Sequence, residues 1–207
     1  MSSVGMVIPC YNNFVVRPET ISSIRDQTPT PIVQLVREAA SLPQARNIGL
    51  ARMDTDYYLP LDGDDVMFPG AVAALQAALD GHPECEIAYG DYVEQYIDEN
   101  GAINNVKVVC PEWTRENMRL GNVTTYFIMF RRSLWERISG YDETMLDCDD
   151  WEFVARAMGH GACAIKLDYV TFTHLNRPGS MYQQTLANVS RDTILSRLAA
   201  RVPEVFG

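Results

Sequence analysis

Two acidic clusters carry the chemistry available to this chain. The first lies in YYLPLDGDDVMFPG, Tyr57 to Gly70, where Asp62, Asp64 and Asp65 follow a run of apolar and aromatic residues. Carboxylates at the end of a buried strand are costly unless a cation or hydrogen-bond donors compensate them. In an extended chain, residues two apart point the same way, about 6 to 7 Å from each other. Asp62 and Asp64 are therefore expected to face one site. Oxygen-only ligands suit Mg2+ or Mn2+, and so few protein ligands suggest that phosphate oxygens complete the shell. Gly63 between them would let a bulky substrate approach the backbone. The same residues also fit an Asp-rich turn ahead of the next helix; their spacing is not that of an EF-hand. The second cluster is LDCDDWEFVARA, with Asp147, Asp149, Asp150 and Glu152. Asp149 and Asp150 fall at the expected start of a helix, where the dipole stabilises carboxylates and N-capping is an ordinary role. Both clusters in one small domain suit a metal site plus a general base.

The elements that must position these clusters alternate through the first 90 residues. Val4 to Ile8 is an apolar run closed by Pro9 and followed by the polar loop YNN. Pro18 opens a helix, and Ile32 to Val36 is a second strand. Ser41-Leu42-Pro43-Gln44 matches a capping box, so a helix is expected over Gln44 to Arg52. Tyr57 to Leu61 is a third strand, the helix GAVAALQAALDG follows Pro69, and Glu86 to Tyr89 is a fourth strand. Alternation of this kind predicts a parallel sheet with helices on its faces, and ligands then bind off the carboxyl ends of the strands. The YNN loop and the first acidic cluster both lie at such ends. The second half is expected to add a hairpin, Val93 to Ile97 and Ile103 to Val109 around DENGA, and a strand over Tyr126 to Phe130. Helices are expected over Trp113 to Leu120, Arg132 to Ile138, Asp149 to Met158 and Thr185 to Ala200, with Cys163 to Phe172 extended. The expected fold class is α/β, a mixed and mostly parallel sheet flanked by helices in a single compact domain.

The 207 residues are 47% hydrophobic and 21% charged, enough to bury a sizeable core in one domain. The net charge of −10 disfavours a general grip on DNA, RNA or anionic lipid, which needs a basic face. It allows a nucleotide whose phosphates are met by a divalent cation. Five scattered cysteines without a CxxC pair indicate neither a zinc knuckle nor a disulfide framework, and predict a reduced, cytoplasmic setting. No signal-peptide pattern and no transmembrane-length apolar run is present.

VIPCYNN, ARNIGLA, LPLDGDD, FRRSLWERISGYDE and DDWEFVARA occur in the order found in family-2 glycosyltransferases of the GT-A fold. The chain resembles that family from about Val4 to about Ser180. The resemblance implies a nucleotide-diphosphate sugar as donor and a hydroxyl group as acceptor, with inversion at the anomeric carbon. Pro9, Tyr11 and Asn12 would line the nucleotide pocket, with Arg46 and Asn47 facing the nucleotide and sugar phosphate. Asp62 would touch the ribose or sugar, and Asp64 would hold Mn2+ or Mg2+ on the diphosphate. Asp150 resembles the general base, with Asp149 beside it. About 1–91 would bind the nucleotide, about 92–180 would supply acceptor contacts and the base, and 181–207 would add a C-terminal helix.

The pattern departs in two places. The family often has an acidic segment after the second strand, where an aspartate meets the nucleobase; here Arg37 and Glu38 stand there, and Glu38 is a candidate substitute. The family's histidine before a Pro-Gly-Ser-like turn is replaced by Arg177, with His174 three residues earlier. His174 is a candidate metal ligand or diphosphate contact, and Arg177 can neutralise phosphate. Asp91 and Trp151 are candidates for sugar or acceptor contact, against turn capping and core packing respectively. Two other readings remain: a GT-A-like module that binds without turnover, and a phosphatase of the haloacid-dehalogenase type using LPLDGDDV with Lys107 or Lys166.

Overall fold

The computed structural model describes residues 2–10, 14–180, 183 and 187–207. Strand β1 (Val4–Pro9) is buried along its whole length because both of its faces are covered. It pairs in parallel with β2 (Ile32–Val36) on one side and β3 (Tyr57–Pro60) on the other. Between them run α1 (Pro18–Arg25), with proline in its first turn, and α2 (Leu42–Ala51). Ser41 caps α2 as expected, its hydroxyl accepting from the Gln44 N–H. The Gln44 side chain reaches back to the Ala40 N–H at 2.7 Å, one residue before the cap.

The rest of the chain extends this sheet. The short β4 (Val66–Met67) precedes α3 (Ala71–Gly81), which leads into β5 (Ile87–Ile97). Two expected strands are here one, irregular at Gly90 and Asp91 where it runs beside β8 (Ala164–Asn176). A Cβ on Gly90 would sit 2.5 Å from the Tyr169 carbonyl oxygen, so the irregularity demands glycine. β6 (Ile103–Val108) folds back on β5 as the expected hairpin, its turn held by Asp98 accepting from the Asn100 and Ala102 N–H groups. Then come α4 (Arg115–Leu120), β7 (Met129–Arg131), α5 (Arg132–Arg137) and α6 (Asp149–Gly159). The sheet order is β2-β1-β3-β7-β5-β8-β4, with β6 beside β5, so both halves of the chain share one mixed sheet. Its β1–β2, β1–β3 and β5–β8 pairings are parallel and its other pairings antiparallel.

Strand alternation divides the core between the two faces. Val7, Tyr58 and Phe130 pack with Leu50 and Phe153 on one side; Met6, Ile8 and Leu59 pack with Leu75 and Phe172 on the other. The C-terminal helix differs from expectation. Ser190 is extended and caps a new helix, α7 (Arg191–Arg201), followed by α8 (Pro203–Phe206). Ile194 and Leu198 are its buried residues, and Leu186 lies outside the described residues.

The cysteine expectation is corrected. Cys85 and Cys163 form a disulfide across a sequence separation of 78, while Cys10, Cys110 and Cys148 are buried thiols. The pair could not be read from spacing, because it arises where the chain enters the neighbouring parallel strands β5 and β8. There the Glu86 N–H donates to the Cys163 carbonyl at 3.0 Å. With that bridge present, the cysteines no longer point to a reduced setting. Among the described residues no helix is long and apolar enough to cross a membrane.

Candidate active site

The first acidic cluster begins where β3 stops. The Leu61 N–H still donates to Val7 on β1, but the chain then turns, and the Asp65 N–H bonds back to the Asp62 carbonyl at 3.2 Å. The two-residue repeat of an extended chain does not apply within this turn, although Asp62 and Asp64 stay close enough to act on one another. Each carboxylate instead meets its own partner. Asp62 lies 3.5 Å from Arg46 of α2, and Asp64 lies 3.3 Å from Arg177, just beyond β8. Asp65 is buried and accepts from the Tyr126 hydroxyl, from His174 Nδ1 at 3.1 Å and from the Leu175 N–H at 2.7 Å. The turn is thereby fastened to β8, which brings His174 and Arg177 beside it. The space above Gly63 belongs to Phe14, whose ring would lie 2.8 Å from an added Cβ. Gly63 thus accommodates the protein's own side chain rather than a substrate.

The second cluster reaches the first through one side chain. Arg46 projects from α2 with only 3% of its side chain exposed, and pairs with Asp149 in the first turn of α6 as well as with Asp62. Its guanidinium lies 5.6 Å from the centre of the Tyr126 ring and 5.5 Å from that of Tyr141, so aromatic faces supply further favourable contact. Burial opposes its charge, but Asp149 and Asp62 outweigh that and hold it protonated. Among the described residues Arg46 Nε has no hydrogen-bond partner. Asp150, next to Asp149, accepts from Asn122 Nδ2 at 2.9 Å.

Burial raises several of these carboxyls in spite of the cations beside them. Burial pushes the Asp62 carboxyl up to about 7; Arg46 pulls it down, while Asp65 and Asp64 push it further up. Asp64 is raised by burial and by Asp65, despite Arg177. Asp149 is raised by burial to about 6 against the pull of Arg46. Burial alone would lower His174, but Asp65, Glu94 and Asp62 raise it to about 9. Carboxyls raised chiefly by burial, and further by one another, would gain from a hard divalent cation. Asp62 and Asp64 are the residues that would supply oxygen donors for it. No group of three His, Cys, Asp or Glu side chains among the described residues is arranged to hold a metal ion. Such a cation would therefore depend on ligand oxygens to complete its shell. His174 stands at this turn with its Nδ1 on Asp65.

Several expected residues lie elsewhere or serve the scaffold. Pro9 ends β1 opposite Val36, at the carboxyl edge as expected. Tyr11 and Asn12 are outside the described residues. Glu38 is exposed and pairs with Arg52 at 2.5 Å. Asn47 is corrected: its Nδ2 donates to the Tyr141 carbonyl and Glu143, and its Oδ1 accepts from the Tyr141 N–H and the Trp135 indole. That uses the whole amide to fix the segment leading to α6. Asp91 is corrected too: it is buried within β5, accepts from the Cys110 N–H and pairs with Lys107 at 3.0 Å. Trp151 is likewise a core residue, its indole donating to the Met118 carbonyl at 3.0 Å and its ring edge-on to Phe206. With Lys107 on Asp91 and Lys166 on Glu112, neither lysine serves the acidic turn, and the phosphatase reading falls. Sequence reasoning missed Asp65 as the clamp, Tyr126, Tyr141 and Asn122. In sequence Asp65 reads only as a third carboxylate, and Tyr126 reads as part of a strand that begins at Met129.

No family model matches the chain. It is 27% identical over 130 residues to uncharacterized protein y4gI of Sinorhizobium fredii, a match covering 62% of this chain and 14% of that much longer protein. Among solved structures it resembles residues 1–349 of S. aureus TarS in complex with UDP-GlcNAc. There the TM-score is 0.69 at 16% identity, covering 96% of this chain and 66% of that one. The UDP complex of the same TarS fragment gives 0.64 at 15% identity, covering 96% and 70%. The chain thus has a mixed α/β fold similar to that of TarS.

Proposed function

We propose that this chain is an inverting, nucleotide-sugar-dependent glycosyltransferase of the GT-A type, belonging with family 2. The observation that carries the reading is the buried Arg46, which joins the acidic turn after β3 to the first turn of α6. An inverting transfer needs a site for the leaving diphosphate on one face of the sugar and a base on the other. The fold shared with TarS, whose structures hold UDP-GlcNAc and UDP, supports the same ligand class here.

In this reading Asp64 and Asp62 are the residues that would hold Mn2+ or Mg2+, which would supply charge stabilisation to the leaving group. Arg177 and the protonated His174 contribute positive charge from the end of β8. Asp150 accepts the proton of the acceptor hydroxyl as its oxygen bonds to the anomeric carbon and the bond to the diphosphate oxygen breaks. Asp149 stays paired with Arg46 and keeps the start of α6 in place. The acceptor is a hydroxyl compound.

The test is a thermal-shift and turnover panel of nucleotide diphosphates and their sugars with and without Mn2+, run on wild type and Asp150→Asn. A bound donor raises the melting temperature of both proteins. Asp150→Asn is expected to lose turnover by roughly 10²- to 10⁴-fold. Donor binding without turnover in the wild type, across acceptors, would replace the enzyme reading with that of a binding module.

A further inference from the structure

The connection between α4 and β7 is shaped around one amide. Asn122 Oδ1 accepts from the Thr124 N–H at 3.1 Å and lies 3.1 Å from the Thr124 hydroxyl, whose single proton is shared with the Thr125 carbonyl at 2.9 Å. A backbone N–H only donates, so the atom facing it must be the amide oxygen, and the orientation of the amide follows. Nδ2 therefore points the opposite way, to Asp150 Oδ2 at 2.9 Å. The neighbours hold this arrangement. Val123 and Thr124 are buried, and Thr125 takes the left-handed conformation at φ 63°, which a residue with a Cβ seldom adopts. The Thr125 hydroxyl accepts from the Phe127 N–H at 3.3 Å, tying the strained turn to the chain that follows. A backbone strained and fastened behind a single side chain suits a residue that must be aimed.

We infer that Asn122 is a positioning residue that anchors one oxygen of Asp150 and presents the other to the acceptor. The inference rests on the reading of Asp150 as the base. Asp150 Oδ1 has no partner among the described residues, while Oδ2 is held by Asn122. Arg46, already paired with Asp149 and Asp62, also attracts Asp150. Without an anchor, the carboxylate can turn toward that cation and away from the acceptor. A neutral amide holds it without placing a second positive charge beside the atom that must take up a proton.

The experiment compares wild type, Asn122→Ala, Asp150→Asn and the double variant, following UDP release from UDP-GlcNAc with Mn2+ and UDP affinity by calorimetry. Asn122→Ala is expected to lower kcat roughly 10- to 100-fold, with KM and UDP affinity unchanged. In the Asp150→Asn background the same change should cost nothing more, because both act through one carboxylate. An undiminished loss in that background, a change confined to KM, or full activity of Asn122→Ala beside an inactive Asp150→Asn overturns the inference alone. Wild-type turnover by Asp150→Asn overturns the base assignment and this inference with it. The side-chain amide resonance of Asn122 reports the contact without turnover: Asp150→Ala should shift it, and an unmoved resonance refutes the pairing.

Discussion

Replacing Arg46 with methionine separates charge compensation from packing. Methionine keeps much of the volume between the Tyr126 and Tyr141 rings but removes the cation shared by Asp62 and Asp149. Removing one partner of a buried pair typically costs about 3–5 kcal/mol. Asp62 is 28% exposed on its side chain, so the lower end, about 3 kcal/mol, is the better expectation. For a domain of this size that is a melting-temperature loss of roughly 6–12 °C. The loss should depend on pH. Both carboxyls already sit above their ordinary value of 3.8, at about 7 and about 6, with Arg46 pulling each down. Without it both rise further. Over the interval above 3.8 the folded variant then holds protons that the unfolded chain has released, and its stability falls as pH rises. Scanning calorimetry should find the variant close to wild type at pH 5 and far below it at pH 8. An equal deficit at both values would mean that Arg46 is there for its shape, and the argument that it joins two charged clusters would fail.

Three further outcomes follow from named contacts. Asp65→Asn should let His174 fall from about 9 toward its ordinary 6.5, read by proton NMR of the imidazole. The stability that His174 contributes is full below 6.5 and is lost as pH rises through about 9, so the variant should lack that slope; an unmoved imidazole would refute the clamp. Trp151→Ala should cost about 3–5 kcal/mol by leaving a cavity, whereas a raised KM at unchanged stability would restore the sugar-contact role. Cys85→Ser with Cys163→Ser opens a loop of 78 residues, worth about 4.5 kcal/mol by loop-closure entropy. Five titratable thiols in the denatured, unreduced protein, in place of the three at Cys10, Cys110 and Cys148, would show that the bridge is absent.

Much of the frame was legible because it rests on local rules. The capping serine of α2, the proline opening α1, the DENGA hairpin and the β–α alternation before residue 90 each follow from a few adjacent residues. What was not legible depends on contacts remote in sequence. Asn47 reads as a ligand-facing polar residue beside Arg46, yet on a helix consecutive residues point about 100° apart, and its amide turns to Tyr141, some 94 positions on. Asp91 and Asp65 carry charges that look available until β6 and β8 close over them. The disulfide exists only because β5 and β8 are neighbours in the sheet.

The same dependence leaves two carboxyls of the acidic turn, Asp62 and Asp64, raised by burial in spite of nearby cations. Arg46 is buried and paired twice, so its charge is committed to joining the turn to α6. Arg177 is half-exposed at the end of β8 and touches Asp64 across 3.3 Å, a contact that water weakens. His174 is spent largely on Asp65. Asp62 and Asp64 therefore remain raised in the folded chain. A site that had only to be stable would have gained by replacing one of them with a neutral residue. Keeping both makes sense where a mobile cation arrives with a ligand and departs with it. In the proposed enzyme, a divalent cation arriving with the polyanionic donor would supply compensation that the turn lacks without it.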